Sequence, residues 1–390
     1  MARRNGRKRR DPPREKRSLS TRLLAVGRRF LFLINLVTLV LVILASLAPW
    51  VSPATWFWPS VLALFKVWLL IIPVLWVAGW LWRRRWLFAG ANMLLLLLNW
   101  STVGQTWQSN SPLRSTRYDM HVLSYNVGAF KYQYKNFERV LEYLKTQEAD
   151  IICLQEFYNA RDRKDKSKPR AIERLTTELG LENYTFIELK PESQFGMLVL
   201  SRYPIVNAEC LTPITKETKN GIMYADLKLY GQTLRVYNMH LQSYNFSIKQ
   251  RRLLKGAEAE DAVATEMNAA STWGLVKVML HTWRKQAEQV AVFQQNIAQY
   301  EGPTLVCADL NNAPYSYFYN AVGKGMDDSF RKRGSGWGRT YRESSRLFQL
   351  RIDYIFVGDQ LLTVDHRVLQ DADHSDHYPI KATVRFSFHS

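Results

Sequence analysis

Residues able to carry chemistry stand where the apolar runs of this chain end. Between residues 119 and 388, runs of Val, Ile, Leu and Met repeatedly finish beside an amide, carboxylate or imidazole side chain. The residues in these positions are Asn126, Glu156, His240, Asp309, Asn311, Asp353, Asp376 and His377. Short apolar runs are typical of buried strands, and strand ends at one edge of a layered fold lie close together. We therefore expect these side chains to meet in one cleft.

The residue types in this set indicate a site for a hard metal ion. Carboxylate and amide oxygens without thiolates suit an oxygen-preferring divalent cation, Mg²⁺ or Mn²⁺. The two histidines could transfer a proton or present a positive charge to a phosphoryl oxygen. A cysteine zinc site is disfavoured, and Cys153 and Cys307, each inside an apolar run, are predicted to be small core residues. The chain has no HExxH, Walker, GxSxG or strand-linked GxGxxG motif, which excludes four common enzyme classes.

The elements that must position these residues are short strands that alternate with helices. Strands are predicted over 120–125, 151–155, 195–201, 223–229, 233–240, 304–308, 352–357 and 380–386. Helices are predicted over 136–147 and 171–179, and within the long mixed segment 247–300. This order of elements indicates a layered α/β or α+β domain of about 270 residues.

Seven short motifs follow one another along this domain. They are SYNV (124–127), CLQE (153–156), LSRYPI (200–205), NMHL (238–241), ADLN (308–311), RIDYIF (351–356) and SDHYP (375–379). Together they resemble the ordered signature of the endonuclease/exonuclease/phosphatase superfamily, which has the deoxyribonuclease-I-like fold. Each motif alone is weak, but the resemblance covers residues 119–388 in the right order. It implies a four-layered α/β sandwich, two packed mixed β-sheets flanked by helices, that hydrolyses phosphate esters with a divalent metal.

The resemblance also implies a metal side of the site. Glu156 corresponds to the principal metal ligand, and Asn126 to its neighbour on the metal or on its water. Asp376 would be a further contact to the metal or to water. One departure concerns Gly128, which lies where DNA-repair members of the family have an acid, so that a second acid is missing there.

The remaining residues correspond to the part of the family site that handles water and phosphate. By resemblance, Asp309 would orient or deprotonate the attacking water, and Asn311 would hold this water and a phosphoryl oxygen. His240 would donate to the phosphate, and His377, oriented by Asp353, would contact the same group. Structural alternatives remain open at this point. His240 could be a core histidine, and Asp309 with Asn311 could form an Asx-turn.

The positive charge of the chain is concentrated at its N-terminus. The 390 residues carry 53 Lys and Arg against 34 Asp and Glu, a net charge of +19. Residues 1–29 have a surplus of ten positive charges, residues 30–107 have four more, and residues 108–390 have the remaining five. The high isoelectric point is therefore poor support for a nucleic-acid-binding face on the C-terminal domain.

Three apolar segments, 30–48, 59–82 and 86–107, are predicted to span a membrane. They follow a basic cytoplasmic tail, 1–29, and a linker, 108–118, joins them to the domain, 119–390. If all three cross the cytoplasmic membrane, the basic tail and Arg83–Arg85 stay inside and the domain is extracytoplasmic. If the third segment only lies in the interface, the domain is cytoplasmic. A signal peptide is the alternative for the first segment.

These observations predict a membrane-anchored, metal-dependent phosphohydrolase. The expected partners are the lipid bilayer and a phosphate ester, either a phosphodiester in nucleic acid or a phosphorylated lipid or small molecule. The alternative is a non-catalytic membrane-tethered binding module with the same fold. The segment 244–283 includes an apolar stretch, 273–283, that could rest on the membrane, cover the site as a lid, or pack against the domain.

Overall fold

Helices dominate residues 19–106, and strands dominate the described residues that follow. The computed structural model describes residues 19–387 except 133, 160, 162–166, 168, 215–218, 245–268 and 344–349. Within it, residues 19–43 with 68–96 form one compact unit, and residues 44–67 with 97–387 form a second. The N-terminal helices are α1 (Leu19–Ser46), α2 (Trp58–Ala63), α3 (Lys66–Trp82), α4 (Trp86–Leu98) and α5 (Trp100–Thr106).

Helices α1 and α4 of the first unit run parallel to each other. The rings of Phe32 and Phe88 lie 5.3 Å apart, and one turn further along both helices Asn35 Nδ2 donates to Asn92 Oδ1 over 3.0 Å. Both asparagines are buried between apolar helices. Such polar pairs hold helices together where the surrounding side chains are apolar.

Helix α3 runs antiparallel to α1. Trp80 Nε1 donates to Asn35 Oδ1 over 2.9 Å, and one turn earlier Trp76 Nε1 donates to Thr38 Oγ1 over 3.4 Å. By length and composition, Val26–Ser46 and Trp86–Thr106 could cross a membrane, and α3 is a shorter apolar helix. The segment 59–82, which was predicted as one membrane-spanning stretch, contains two helices, because α2 ends at Ala63 and α3 begins at Lys66.

The second unit contains the remaining elements, mostly strands. In chain order they are β1 (Trp107–Ser109), β2 (Met120–Asn126), a 3₁₀ turn (Gly128–Tyr132), α6 (Tyr134–Lys145), β3 (Ile151–Tyr158), α7 (Ala171–Leu179), β4 (Asn183–Lys190), β5 (Phe195–Ser201), β6 (Ile205–Cys210), β7 (Gly221–Leu229), β8 (Gln232–His240), α8 (Ala269–Ile297), β9 (Thr304–Asp309), α9 (Tyr317–Val322), β10 (Met326–Asp328), α10 (Ser329–Arg333), β11 (Ser335–Trp337), β12 (Asp353–Gly358), β13 (Leu361–Val368) and β14 (Ile380–Phe386).

The longer strands form two mixed sheets that pack face to face. Their orders are β13-β14-β2-β3-β5-β4 and β10-β12-β9-β8-β7-β6, with β2/β3 and β8/β9 as parallel pairs. The core between them contains Cys153 and Cys307, whose thiols are free and buried as predicted. Helices α6 and α7 cover the outer face of the first sheet, and α8 and α9 cover that of the second. The fold is the predicted four-layered α/β sandwich.

All eight predicted strands are present, and the strands that the prediction missed lie at sheet edges. The missed strands are β4, β6, β10 and β13, at the edges of the two large sheets, and β1 and β11, which pair with each other in a two-stranded sheet. In β6 the burial alternates between half-buried and exposed, and β4 is half-buried along most of its length. An edge strand with a partly solvated face has no continuous apolar run, which is the signal used for the central strands. The predicted helix 136–147 is α6, 171–179 is α7, and 247–268 lies outside the described residues.

A buried ion pair fixes the start of β12. Arg351 Nη2 lies 2.8 Å from Asp328 Oδ2, and Arg351 also stacks on the rings of Phe330 and Tyr354. Burial opposes ionisation of Asp328, but Arg351 outweighs it and holds the pKa of Asp328 below its usual value. A pair of this kind is costly to break, because removing one partner leaves a buried charge without compensation.

We expect Arg351→Met to lower the free energy of unfolding by about 3 to 5 kcal/mol. The measurement is denaturant unfolding of the full chain in detergent. Arg367→Met is the matched control, because Arg367 pairs with Asp365 at the surface, where a lost ion pair costs about 1 kcal/mol or less. Equal losses in the two variants would contradict a structural role for the buried pair.

Candidate active site

The topology brings five of the predicted residues to one edge of the two sheets. Strands β8 and β9 are parallel and pair His240 with Asp309 at their ends. Strand β12 is antiparallel to β9 and begins there, so that Asp353 pairs with Asp309. In the other sheet, parallel β2 and β3 place Asn126 beside Gln155, directly before Glu156. This convergence was expected from the carboxyl ends of parallel strands.

A β-bulge in β3 directs Glu156 toward the cleft. Leu154 and Phe157 both pack in the outer core of the first sheet, although strict alternation would put 154 and 156 on that face. The register with β5 shifts between Leu154 and Phe157, and Glu156 has a φ of +47°. Glu156 is therefore the extra residue of the bulge. A left-handed backbone costs a non-glycine residue free energy and is common at functional sites.

The amide of Asn126 joins two carboxylates of the site. Its Nδ2 lies 2.8 Å from Asp309 Oδ2 and 3.4 Å from Glu156 Oε1. Its Oδ1 accepts a hydrogen bond from the backbone N–H of Gly128 over 3.0 Å. The amide of Asn126 thus holds groups from both sheets in one place.

His377 and Asp353 form a buried pair. His377 Nδ1 lies 3.0 Å from Asp353 Oδ2, and the other ring nitrogen, Nε2, lies 3.8 Å from Asp309 Oδ2. Burial alone would lower the pKa of His377, but the carboxylates of Asp353 and Asp309 outweigh it and raise the pKa well above its ordinary value. The raised pKa favours the protonated ring, whose Nε2 lies on the side of Asp309.

His240 lies between the two acids on the other side of the cleft. Its Nε2 is 3.6 Å from Asp309 Oδ2 and 3.7 Å from Glu156 Oε1. Asn220 Nδ2 lies 3.1 Å from the same nitrogen, and Ser243 Oγ lies 3.3 Å from it. His240 is thus buried, with its ring in contact with polar groups and close to both acids.

Asp309 is fully buried at the centre of the site. Burial, together with the neighbouring charge of Asp353, raises the pKa of Asp309. Its Oδ1 accepts from the backbone N–H of Asn311 over 2.9 Å, as in the Asx-turn proposed from the sequence. Asn311 has a φ of +52°, and its Nδ2 donates to Leu241 O over 3.0 Å. Asn311 therefore supports the loop after β8 as well as the turn.

Asp376 lies at the rim and not at the centre. Among the described residues it forms no hydrogen bond or ion pair with the other seven predicted site residues. Its Oδ1 is 3.2 Å from Ser375 Oγ. A Cβ atom added at Gly128 would lie 3.1 Å from the same Asp376 Oδ1. Gly128, with a φ of +54°, thus leaves room for the carboxylate of Asp376 beside Asn126.

The site has an excess of negative charge that a cation would balance. Asp309, Asp353 and His377 offer ligand atoms that lie within 4.8 Å of one another. In the part of the chain that the structure describes, no Lys or Arg forms an ion pair with Glu156, Asp309 or Asp353. Burying several carboxylates without a counter-charge is costly. The donor set of carboxylate and amide oxygens fits a hard divalent cation.

Sequence reasoning missed several residues that support the site. Asn220 and Ser243 contact His240, Thr340 Oγ1 accepts from the backbone N–H of Asp353, and the ring of Tyr341 packs edge-on against His377 at 5.3 Å. Asn220 and Ser243 lie in loops, and Thr340 and Tyr341 lie outside the strand ends. No periodic signal marks them, and only their tertiary contacts show what they do.

Known families match this chain over two ranges. Residues 123–377 match the model of the Endonuclease/Exonuclease/phosphatase family, and this range contains all eight predicted site residues. Residues 28–106 match a domain of unknown function, DUF8431. No curated protein matches the chain.

Solved structures are similar to the C-terminal domain. The endonuclease/exonuclease/phosphatase from Beutenbergia cavernae DSM 12333 is 19% identical, with a TM-score of 0.48, and the match covers 70% of this chain and 72% of that chain. D. rerio TDP2, humanized by 14 mutations, is 17% identical, with a TM-score of 0.48 and a coverage of 69% and 99%. The human Nocturnin catalytic domain with bound sulfate anion is 17% identical, with a TM-score of 0.45 and a coverage of 71% and 97%.

Proposed function

Because the chain belongs to the endonuclease/exonuclease/phosphatase family, we propose that it is a membrane-anchored phosphoric ester hydrolase that uses a divalent metal ion and water. The observation that carries this proposal is the convergence of Glu156, Asp309 and the Asp353–His377 pair in one cleft. A site of this kind can bind a phosphate ester and direct a water molecule at phosphorus.

We assign the metal side of the site to Glu156 and Asn126, with Asp376 at the rim as a further contact to the metal or its water. Glu156 is about one-third exposed and directed by the bulge into the cleft, so its carboxylate is accessible to a cation. His377 is a poor ligand, because Asp353 engages its Nδ1 and its raised pKa keeps it charged. A bound Mg²⁺ or Mn²⁺ ion would neutralise charge that develops on the phosphoryl group.

The residues on the opposite side of the site bind the attacking water and the phosphoryl oxygens. Asp309, buried and with a raised pKa, orients the attacking water and accepts its proton. His240 and His377 donate to phosphoryl oxygens, and Asp353 keeps the ring of His377 in place. Asn311 holds the loop geometry around Asp309 and contributes its amide to the water or the phosphate.

The arrangement of the N-terminal helices supports three membrane crossings. Helices α1 and α4 run parallel, so if both cross the bilayer the chain must return between them. Helix α3 is antiparallel to α1 and, at 17 residues, about 25 Å long, a little less than the apolar thickness of a bilayer. With the basic tail and Arg83–Arg85 on the cytoplasmic side, the catalytic domain is extracytoplasmic.

Two properties of the chain favour some substrates over others: the low net charge of residues 108–390 and the proposed attachment to a membrane. Residues 108–390 carry only five of the nineteen net positive charges, which disfavours long nucleic acid because its binding depends on many phosphate contacts. Attachment to a bilayer favours a phosphate ester at the membrane surface.

The full chain, purified in detergent, is expected to hydrolyse bis-p-nitrophenyl phosphate with Mg²⁺ or Mn²⁺ and to lose this activity in EDTA. The same assay with plasmid DNA, RNA, sphingomyelin and phosphoinositides identifies the substrate class. Activity that persists in EDTA would contradict the metal dependence. No turnover on any substrate, with Glu156→Ala indistinguishable from the wild type, would favour the non-catalytic binding module.

A further inference from the structure

The strand β1 begins immediately after the apolar helical segment Trp86–Thr106. Trp107 follows Thr106, the last residue of Trp86–Thr106, without an intervening loop. Among the residues that the structure describes, β1 pairs with β11 alone and places Trp107 opposite Trp337 in the register. Directly opposed residues of an antiparallel pair lie on the same face of the ribbon. Trp107 and Trp337 are 44% and 55% exposed, so this two-stranded ribbon presents two indole rings to its surroundings.

A basic turn lies next to this ribbon. Helix α10 ends with Arg331, Lys332 and Arg333, directly before β11. Arg331 and Lys332 are exposed, and Lys332 pairs with Asp327 over 3.0 Å, which leaves a local excess of two positive charges. Asn110, just after β1, donates from its Nδ2 to Arg331 O over 3.0 Å and thereby ties the turn to the ribbon.

The ribbon is also fixed to the end of α5. The backbone N–H of Gly338 donates to Thr106 O over 3.0 Å, and Arg351 Nε donates to Gln105 O over 3.1 Å. Because Arg351 is buried and paired with Asp328, this end of the helix is held by the core of the domain. If the helix leaves the bilayer at this end, the ribbon and the basic turn lie at the bilayer surface.

From these contacts we infer that the β1–β11 ribbon and the basic turn 331–333 form a docking surface for the head-group layer of an anionic phospholipid bilayer. Trp side chains favour the boundary between water and lipid, and Arg and Lys are attracted to anionic head groups. The inference rests on the proposed membrane anchoring but not on the proposed catalysis.

Docking of this surface would set the distance of the active site from the bilayer. Tyr341, whose ring packs on His377, lies four positions after Trp337, and four extended residues span at most about 14 Å. The rim of the site would therefore lie close to the head-group layer. A phosphate ester on a membrane lipid could reach it without leaving the bilayer.

A spin label tests this inference on the full chain in nanodiscs. The label is placed at Ser335→Cys in β11, with Lys228→Cys as the control position, and both carry Cys210→Ser to remove the partly exposed thiol. In nanodiscs that contain phosphatidylglycerol, the label at 335 should be accessible to oxygen and shielded from a water-soluble nickel reagent. The label at 228 should remain fully accessible to nickel. We expect a triple variant that combines Trp337→Ser, Arg331→Glu and Arg333→Glu to raise the accessibility of the label at 335 to the nickel reagent about tenfold.

The matched charge control is Arg117→Glu with Lys228→Glu, which reverses two exposed cations elsewhere and should leave the label at 335 shielded. Equal nickel accessibility at 335 and 228, or equal shielding in neutral and anionic nanodiscs, would overturn the inference. Shielding by added single-stranded DNA but not by anionic lipid would also overturn it and would indicate a nucleic-acid surface.

Hydrolysis of bis-p-nitrophenyl phosphate by the same samples is a separate readout, so a catalytically inactive chain that still docks would contradict only the proposed function. A chain that does not insert into nanodiscs contradicts the anchoring and the docking together.

Discussion

Replacing Glu156 with Ala is expected to lower metal-dependent hydrolysis of bis-p-nitrophenyl phosphate by about a thousandfold. The bulge directs the partly exposed carboxylate of Glu156 into the cleft, so its loss removes the proposed principal oxygen donor for the cation. A bound metal contributes several kcal/mol of transition-state stabilisation, and each 1.36 kcal/mol corresponds to about a factor of ten in rate. The measurement is kcat/KM as a function of Mg²⁺ or Mn²⁺ concentration. The remaining activity should require more metal than the wild type.

The left-handed backbone of Glu156 calls for a specific control. An Ala at a φ of +47° is strained, so lost activity could reflect a distorted strand. Glu148→Ala makes the same substitution at an exposed residue with a φ of +46°, just before β3 begins and so at the opposite end of that strand from Glu156, and should keep full activity. Glu156→Gln keeps the size of the side chain and should lose almost as much activity as Glu156→Ala. Activity of Glu156→Gln within tenfold of the wild type would contradict a metal-binding carboxylate.

Replacing Asp353 with Asn is expected to reduce kcat by about a hundredfold to ten-thousandfold, the range found for positioned acid–base groups. The substitution keeps the shape of the side chain but removes the negative charge that orients His377 and keeps it protonated. His377→Ala should have a similar effect, and the double variant should be little worse than either, because the two residues act as a unit. KM should change less than kcat.

A structural effect of Asp353→Asn is separated from a catalytic one by measuring the unfolding midpoint alongside kcat. Asp365→Asn is the matched control, because Asp365 pairs with Arg367 at the surface and should affect neither quantity. Independent, additive losses in Asp353→Asn and His377→Ala would argue against a coupled pair.

The central strands were predictable from the sequence because burial on both faces produces a continuous apolar run. Strands β5 and β14 have the predicted bounds, and the residues at the carboxyl ends of β2, β8 and β9 were expected to converge. The edge strands were not predictable in this way, since solvent on one face breaks the run. Helices α6 and α7 were also predictable, because the apolar stripe of each helix is a local pattern in the sequence.

The geometry around Glu156 and His377 depended on tertiary structure. The local alternation of β3 would put Glu156 on the outer face, and only the register with β5 introduces the bulge that turns it inward. Asp353 and His377 are 24 positions apart in the chain, and although the sequence suggested their pairing, only the tertiary structure gives its geometry.

By itself, the sequence determined which segments are buried strands, which are apolar helices, and which polar residues lie at strand ends. These properties depend on residue type and period, which act over a few neighbouring positions. Tertiary structure decided the direction of Glu156, the contacts of Asn220 and Tyr341, and the pairing of Trp107 with Trp337. These depend on strand register and on contacts between distant segments, whose free energy is set only when the layers pack together.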